Sequence, residues 1–358
     1  MGEGRKQVPK AYRQVHTLAF APLFFQAAMA ARNMGVLAAV RAAKSAGISP
    51  AEVATRAEVS LYAARVLLEG CLALQLVRFD PGPAGGPAGG TYTLTDAGYL
   101  WLTDEMTKVN ANFVQDICYA GAAHFEESLR TGTPAGLKVF GDWPTIYEGL
   151  TQLPPTAQKS WFEFDHFYSD SAFPLVFPRV FAPPPKRLLD VGGNTGKWAV
   201  HCLTHDPNVE VTVLDHPGQL AQLERNAAAA GVASRLHTVA LNMLDHTVPF
   251  PTGFDVVWMS QFLDCFGEAD ILELLKRGKA ALAPNGRLCV MESFWDRQPN
   301  EVGELCVQGT SLYFTCMANG TSRMYHSQDF VELIAKAGLR LVADEEIGTM
   351  HTLMTCAV

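Results

Sequence analysis

Two stretches in the second half of the chain have residue types and spacings that could do chemistry. The first is Leu188-Leu189-Asp190-Val191-Gly192-Gly193-Asn194-Thr195-Gly196, an apolar strand pattern that runs into a glycine turn, with a helix expected from about Lys197. Glycines at 192 and 193 let the backbone approach a ligand closely, and Gly196 lets the following helix pack tightly. The second is Val211-Thr212-Val213-Leu214-Asp215, which ends in a carboxylate 25 residues after Asp190. A carboxylate at the tip of the neighbouring strand can accept both hydroxyls of a ribose. Two ligands suit such a unit, a nicotinamide dinucleotide and S-adenosylmethionine. The Gly-Gly-x-x-Gly spacing is one residue off G-x-G-x-x-G, and the unit stands mid-chain after a helical region. Asp190 lies inside the strand, where it suits an amino-acid ammonium held directly or through water. These points favour S-adenosylmethionine.

The elements that must position these groups follow from the pattern along residues 184–358. Strands are expected at Arg187–Val191, Val209–Leu214, Arg235–Ala240, Phe254–Met259, Arg287–Glu292, Leu339–Ala343 and Thr349–Ala357, with helices between most of them. The last two are joined too briefly for a crossover and should be antiparallel. This predicts an α/β fold, a doubly wound, Rossmann-like seven-stranded sheet with an antiparallel hairpin at one edge. Residues 106–183 read as a mostly helical, unusually aromatic linker and substrate cap that ends at Ala182-Pro183-Pro184-Pro185. Trp161, Phe164 and Tyr168 share one helical face. The aromatic surface exceeds what one core stripe needs, so part of it is a candidate pocket wall.

Residues 1–105 form the remaining domain. Residues 11–45 read as one helix with more apolar surface than a single helix buries, which suggests a partner subunit. Ser49-Pro50-Ala51-Glu52 opens a helix, a second runs from Leu61 to Leu74, and strands at Leu76–Phe79 and Thr91–Leu94 flank the tract Pro81–Gly90. Three helices and two strands around a Gly/Pro loop predict a winged helix with that tract as wing tip. Its charges oppose DNA binding: Arg56, Arg65 and Arg78 stand against Glu52, Glu58, Glu69 and Asp80. The expected recognition helix offers Leu61-Tyr62-Ala63-Ala64-Arg65, where exposed basic or amide side chains would be wanted. Packing and dimerisation is the preferred role. Arg5, Lys6, Lys10 and Arg13 before Leu18–Ala30 resemble a secretory signal, but Gln26 interrupts the apolar run and the helical pattern continues to Val40, so an amphipathic helix is preferred.

The 358 residues carry a net charge of −8 and are 48% hydrophobic. That composition favours a large core and disfavours disorder and non-specific nucleic-acid binding. No uncharged apolar run reaches the ~20 residues of a membrane span. Eight cysteines without a C-x-x-C read as reduced thiols of a cytoplasmic protein, and no metal site is expected from their spacing.

The order of winged helix, aromatic linker, Asp190-Val191-Gly192-Gly193 turn and Leu214-Asp215-His216-Pro217 resembles the small-molecule O-methyltransferases of the caffeate, hydroxyindole and polyketide type. Phe254-Asp255-Val256-Val257 and Gly286-Arg287-Leu288-Cys289-Val290-Met291-Glu292 complete the resemblance, which covers nearly the whole chain. It implies an S-adenosylmethionine-dependent methyltransferase of secondary metabolism that forms a homodimer and acts on a hydrophobic or aromatic small molecule, on oxygen first, with carbon or nitrogen as alternatives. The cofactor contacts it implies, together with the residue reading, are Asp190, Gly192, Gly193, Asp215, His216, Asn242, Met243 and Ser260. Candidate substrate contacts are Phe164, Tyr168, Phe262, Tyr313 and Cys316.

The catalytic positions depart from the family pattern. Where the family usually has Leu-His-Asp-Trp, with histidine as base, this chain reads Leu263-Asp264-Cys265-Phe266. One flanking acid is kept as Glu292, and the other is replaced by Ser322-Arg323. Three accounts remain. Asp264 is the base, facing Glu292 across the cleft as a like-charge pair that raises one apparent pKa toward neutrality; or alignment alone suffices; or Asp264, Cys265 and Cys316 help hold a metal. His124, His166 and His326 could reach the cleft, and His166 beside Asp165 is a candidate replacement base. Two rival functions stand beside these: a same-fold enzyme that uses the cofactor for another reaction, and a winged-helix regulator that senses a small molecule.

Overall fold

The computed structural model describes residues 9–82 and 89–358. The chain separates into two compact units, Met1–Asn112 and Phe113–Val358.

In the N-terminal unit the expected single helix over 11–45 is three: Lys10–Ala19, Ala21–Asn33 and Val36–Ala43. Pro22 sits in the first turn of the second, where its missing N–H and fixed φ start a helix but could not continue one. Gly35, at φ 77°, makes the second break, a backbone state that costs glycine little. The helices Pro50–Arg56 and Leu61–Ala73 follow, each capped by the serine before it (Ser49 and Ser60). Strands β1 (Val77–Asp80) and β2 (Thr91–Leu94) pair antiparallel. Most of the expected wing tip, residues 83–88, and the basic residues Arg5 and Lys6 lie outside the described residues. Ala28, Met29, Ala31, Val36, Leu37 and Leu68 are among the buried residues of this unit. Tyr12, Val15, Leu18 and Leu23 are exposed. Among the described residues no single helix is long and apolar enough to cross a membrane.

The second unit is built on a seven-stranded sheet: β3 (Arg187–Val191), β4 (Glu210–Asp215), β5 (Leu236–Ala240), β6 (Phe254–Ser260), β7 (Leu282–Glu292), β8 (Arg340–Ile347) and β9 (His351–Ala357), in the order β5-β4-β3-β6-β7-β9-β8. The first five are parallel, and β9 runs antiparallel to both β7 and β8. Chain order reverses between β3 and β6, so a crevice opens above their carboxyl ends. The strands next to it are apolar on both faces: Leu188, Leu189, Val191, Val256, Val257, Trp258 and Met259 are all buried, as a strand covered by helices on both sides requires. The final hairpin is longer than expected at its first strand, which continues through Asp344-Glu345-Glu346 to Ile347, and β9 starts at His351 rather than Thr349. Charges on this outer strand suit an edge that must not pair with another chain.

Helices cover the sheet, and the aromatic helices of residues 113–164 pack with Val307–Met324 into a separate apolar cluster, while the helix Phe173–Val180 packs on the sheet. Two π-helical turns, Val114–Cys118 and Phe314–Ala318, flank that cluster. Such turns bend a helix and are frequent at functional sites.

Candidate active site

The turn after β3 leaves no room for side chains. Gly192 has φ 75°, and a Cβ there would lie 2.2 Å from Phe262 Cδ2. At Gly193 a Cβ would lie 2.7 Å from Asp190 Oδ2. Asp215, at the tip of β4, ties the turn down: Oδ2 accepts from the Asn194 N–H at 2.8 Å and Oδ1 from the His216 N–H at 2.6 Å. Each oxygen keeps a lone pair for a diol. Burial raises the Asp215 pKa, against the pull of those two backbone donors.

The floor of the crevice is short of hydrogen-bond partners. Asp190 is 2% exposed, and its Oδ2, Asn194 Oδ1 and Trp198 Nε1 are buried with none in the structure. Burial, with Asp215 nearby, pushes Asp190 up to about 8. A buried carboxylate that lacks a partner is stabilised by an ammonium or sulfonium placed against it. These orphaned atoms and the side-chain-free turn fit an S-adenosyl amino acid. Gly192, Gly193 and Ser260 line the same cavity as Asp190. Asn242 and Met243 do not: they follow β5, beyond β4. Asn242 is exposed, with its Oδ1 accepting from the Leu244 N–H, and Met243 is buried in the sheet core. His216 contributes its backbone N–H to Asp215.

The turn after β6 carries the expected catalytic group. Glu292, 1% exposed at the end of β7, accepts through Oε1 from the N–H groups of Phe262 (3.1 Å) and Leu263 (2.9 Å). It therefore lies beneath the turn and holds it, instead of facing Asp264 across open space. Asn319 braces the same turn by donating to the Cys265 carbonyl. Asp264 is 7% exposed, and burial pushes it up to about 6, opposed by hydrogen bonds from Cys265. Glu292 lies far above its usual value, from burial first and the Asp264 charge second. Burial thus makes this pair of carboxyl groups hold a proton well above the usual carboxylate range.

A third acid was not singled out from the sequence. Asp165, on the helix Pro155–Ser169, is 30% accessible, lines the cavity, and is pushed up to about 7 by desolvation, then by Asp170 and Asp264. Lys197, the cation that opposes this shift, is paired with Asp170. His166 sits 3.7 Å from Asp165 and 3.6 Å from Asp170, and desolvation lowers its pKa. A fourth group, His351, is buried at the start of β9 and takes a hydrogen bond from the Gln261 amide at 2.8 Å. Burial lowers it to about 4, so its imidazole is neutral. Only the β7–β9 pairing brings it here, so no local sequence signal marks it. His124 is half-exposed beside Glu127, and His326 caps the helix Ser327–Lys336. Ser322 is buried and bonded to Asn319, while Arg323 pairs with Glu268 and Asp329.

On the aromatic side, Phe164 stacks on Phe113 at 4.0 Å, and Tyr313 accepts from Trp161 Nε1 at 2.8 Å while packing on Phe113. Phe164, Tyr313 and Cys316 belong to one cluster, Phe262 belongs to the sheet core, and Cys265 touches both. The Cys316 thiol donates to the Gly121 carbonyl at 3.4 Å. Tyr168 packs on Phe164, and its carbonyl accepts from Gln261 at 3.4 Å. All eight cysteines are free thiols, and among the described residues no three His, Cys, Asp or Glu side chains are grouped to hold a metal.

The raised carboxyl groups give stability a definite pH dependence. Asp165, Asp190 and Asp264 hold protons in the folded chain up to about 7, 8 and 6, whereas an unfolded aspartate ionises near ~3.9. Between these values the folded state binds more protons, so stability falls as pH rises. The thermal midpoint of the ligand-free protein is expected to drop between about pH 5 and pH 8, and Asp190→Asn to flatten that slope. An unchanged wild-type midpoint across this window, by scanning calorimetry, would contradict it.

Residues 182–340 match the family model of the O-methyltransferase domain, and residues 12–82 match that of a Dimerisation2-like domain. Among curated relatives, the L-tyrosine C(3)-methyltransferase of Streptomyces lavendulae is 26% identical over 265 residues, which cover 71% of each chain. The 3-amino-4-hydroxybenzoate 4-O-methyltransferase of Streptomyces cremeus is 27% identical, over 76% of this chain and 72% of its own. Among solved structures, the apo form of the S-adenosylmethionine-dependent methyltransferase SibL superposes with a TM-score of 0.68 at 26% identity, covering 96% of this chain and 98% of that one.

Proposed function

Since the chain is an S-adenosylmethionine-dependent methyltransferase carrying an O-methyltransferase domain, we propose that it methylates a hydroxyl of a hydrophobic aromatic small molecule, with Asp264 in place of the family's histidine base. The observation that supports this reading is the setting of Asp264: buried, pushed up to about 6, and next in the chain to Cys265, which packs against both the sheet core and the aromatic cluster. Bound over the glycine turn, S-adenosylmethionine supplies an electrophilic methyl group. Asp264 would accept the hydroxyl proton of the acceptor as its oxygen is methylated. A base with a pKa near 6 stays ionised at neutral pH, and a phenol needs no stronger one. Glu292 and Asn319 keep the Asp264 turn in place, so the reacting groups meet in line.

Asp190 would hold the amino-acid end of the cofactor and Asp215 its ribose. Residues 106–183 cap the acceptor through Phe164 and Tyr168. The Dimerisation2-like match and the exposed Val15, Leu18 and Leu23 support a homodimer through the N-terminal unit.

A second reading, methylation of an aromatic carbon, draws on the relative that methylates L-tyrosine at C(3). The same base serves it, because a phenolate is nucleophilic at oxygen and at its ortho carbons. Incubation with S-adenosylmethionine carrying a carbon-13 methyl group, against phenols including L-tyrosine and 3-amino-4-hydroxybenzoate, separates the readings. An O-methyl carbon resonance in the product is expected. An aryl methyl would select the second reading, and an N-methyl would defeat both.

A further inference from the structure

One hydroxyl beside Asp264 is left without a partner. Tyr147 sits in the short helix Ile146–Gly149, which is fixed by a capping box between Thr145 and Glu148. Its ring packs against the aromatic cluster, and its hydroxyl oxygen is shut off from solvent with no hydrogen-bond partner. Buried tyrosine hydroxyls almost always have one. The polar groups around it are engaged elsewhere or are weak partners. Tyr313 is engaged with Trp161. The Cys265 thiol turns to Asp264 at 3.5 Å. The Cys265 sulfur lies within reach of the Tyr147 hydroxyl, but a thiol sulfur is a weak acceptor, and the charges of Cys265, Tyr313 and Asp264 also act on it. It is therefore a weakly engaged donor close to the base. Burial and these neighbours hold its pKa well above the usual value, so it keeps its proton at any working pH.

We propose that the Tyr147 hydroxyl donates a hydrogen bond to the acceptor's phenolic oxygen, which is held between Tyr147 and Asp264. Asp264 takes the proton and Tyr147 stabilises the negative charge that develops, as a preorganised donor does. The arrangement selects the acceptor class. A phenol oxygen has one lone pair for Tyr147 and another for the methyl group. An amine nitrogen has a single lone pair, and a donor that occupies it would block attack. The pair therefore favours a phenol, methylated at oxygen or at an ortho carbon, over an amine. This inference rests on the assignment of Asp264 as base.

The test uses the full chain saturated with S-adenosylhomocysteine, so that no turnover occurs, and 4-nitrophenol as a probe whose absorbance reports its ionisation. The titratable groups in the probe's surroundings are Asp264, Glu292, Asp165, Cys265 and Tyr313, all retained in Tyr147→Phe. The bound probe is expected to ionise roughly tenfold less readily in Tyr147→Phe than in wild type, while the affinity for nitrobenzene, which cannot ionise, stays unchanged. Identical ionisation in the two proteins, no binding of the probe to wild type, or equal weakening of both probes would overturn the proposal; the last would make Tyr147 a packing residue. Failure of the Asp264 assignment shows separately, as unimpaired turnover of Asp264→Asn.

Discussion

Asp264→Asn is expected to lower kcat by about 10²–10⁴-fold, the usual worth of a positioned general base, with cofactor affinity unaltered. The amide preserves size and leaves the Glu292 contacts with Phe262 and Leu263 in place, so the loss would be chemical and not structural. Wild-type turnover should rise with pH through about 6, where the Asp264 carboxyl ionises, and level off above it. The variant should lose that limb. Turnover is followed by S-adenosylhomocysteine release and affinity by calorimetry. A variant that keeps its rate would show that acceptors reach the site already ionised and that alignment supplies the acceleration.

Gly192→Ala should lose at least about 100-fold in cofactor affinity. Two effects combine. The left-handed backbone at φ 75° strains any residue with a Cβ, and that carbon would press to 2.2 Å from the Phe262 ring. Phe262 cannot give way easily, because it is 7% exposed and its N–H is held by Glu292. The turn must move, and with it the Asn194 N–H that meets Asp215. Phe262→Ala in the same chain should recover part of the loss, since it removes the clash and leaves the strain. Wild-type binding of S-adenosylhomocysteine by Gly192→Ala would mean that the turn does not contact the cofactor.

Some of this was legible residue by residue. The alternation of apolar strands and helices, the glycine turn and the short link before the last strand are local patterns, and they were enough for the seven-stranded sheet and its antiparallel edge. The N-terminal helix was misread because its apolar run passes through Pro22 and Gly35, whose geometry interrupts what composition alone joins. The length of the last hairpin was also missed, because Asp344, Glu345 and Glu346 look like loop residues until an edge strand needs charges.

The glycine turn after Asp190, the strand ending at Asp215 and the Leu-Asp-Cys-Phe run that holds Asp264 were legible from the sequence alone, because each is a short local pattern. Tertiary structure alone decided the surroundings of those groups. It slid Glu292 beneath the Asp264 turn, carried Asp165 and Tyr147 in from the aromatic helices, and set a neutral His351 against Gln261. Proton affinity depends on burial and on charges brought close from distant points of the chain, and neither exists before the chain has packed.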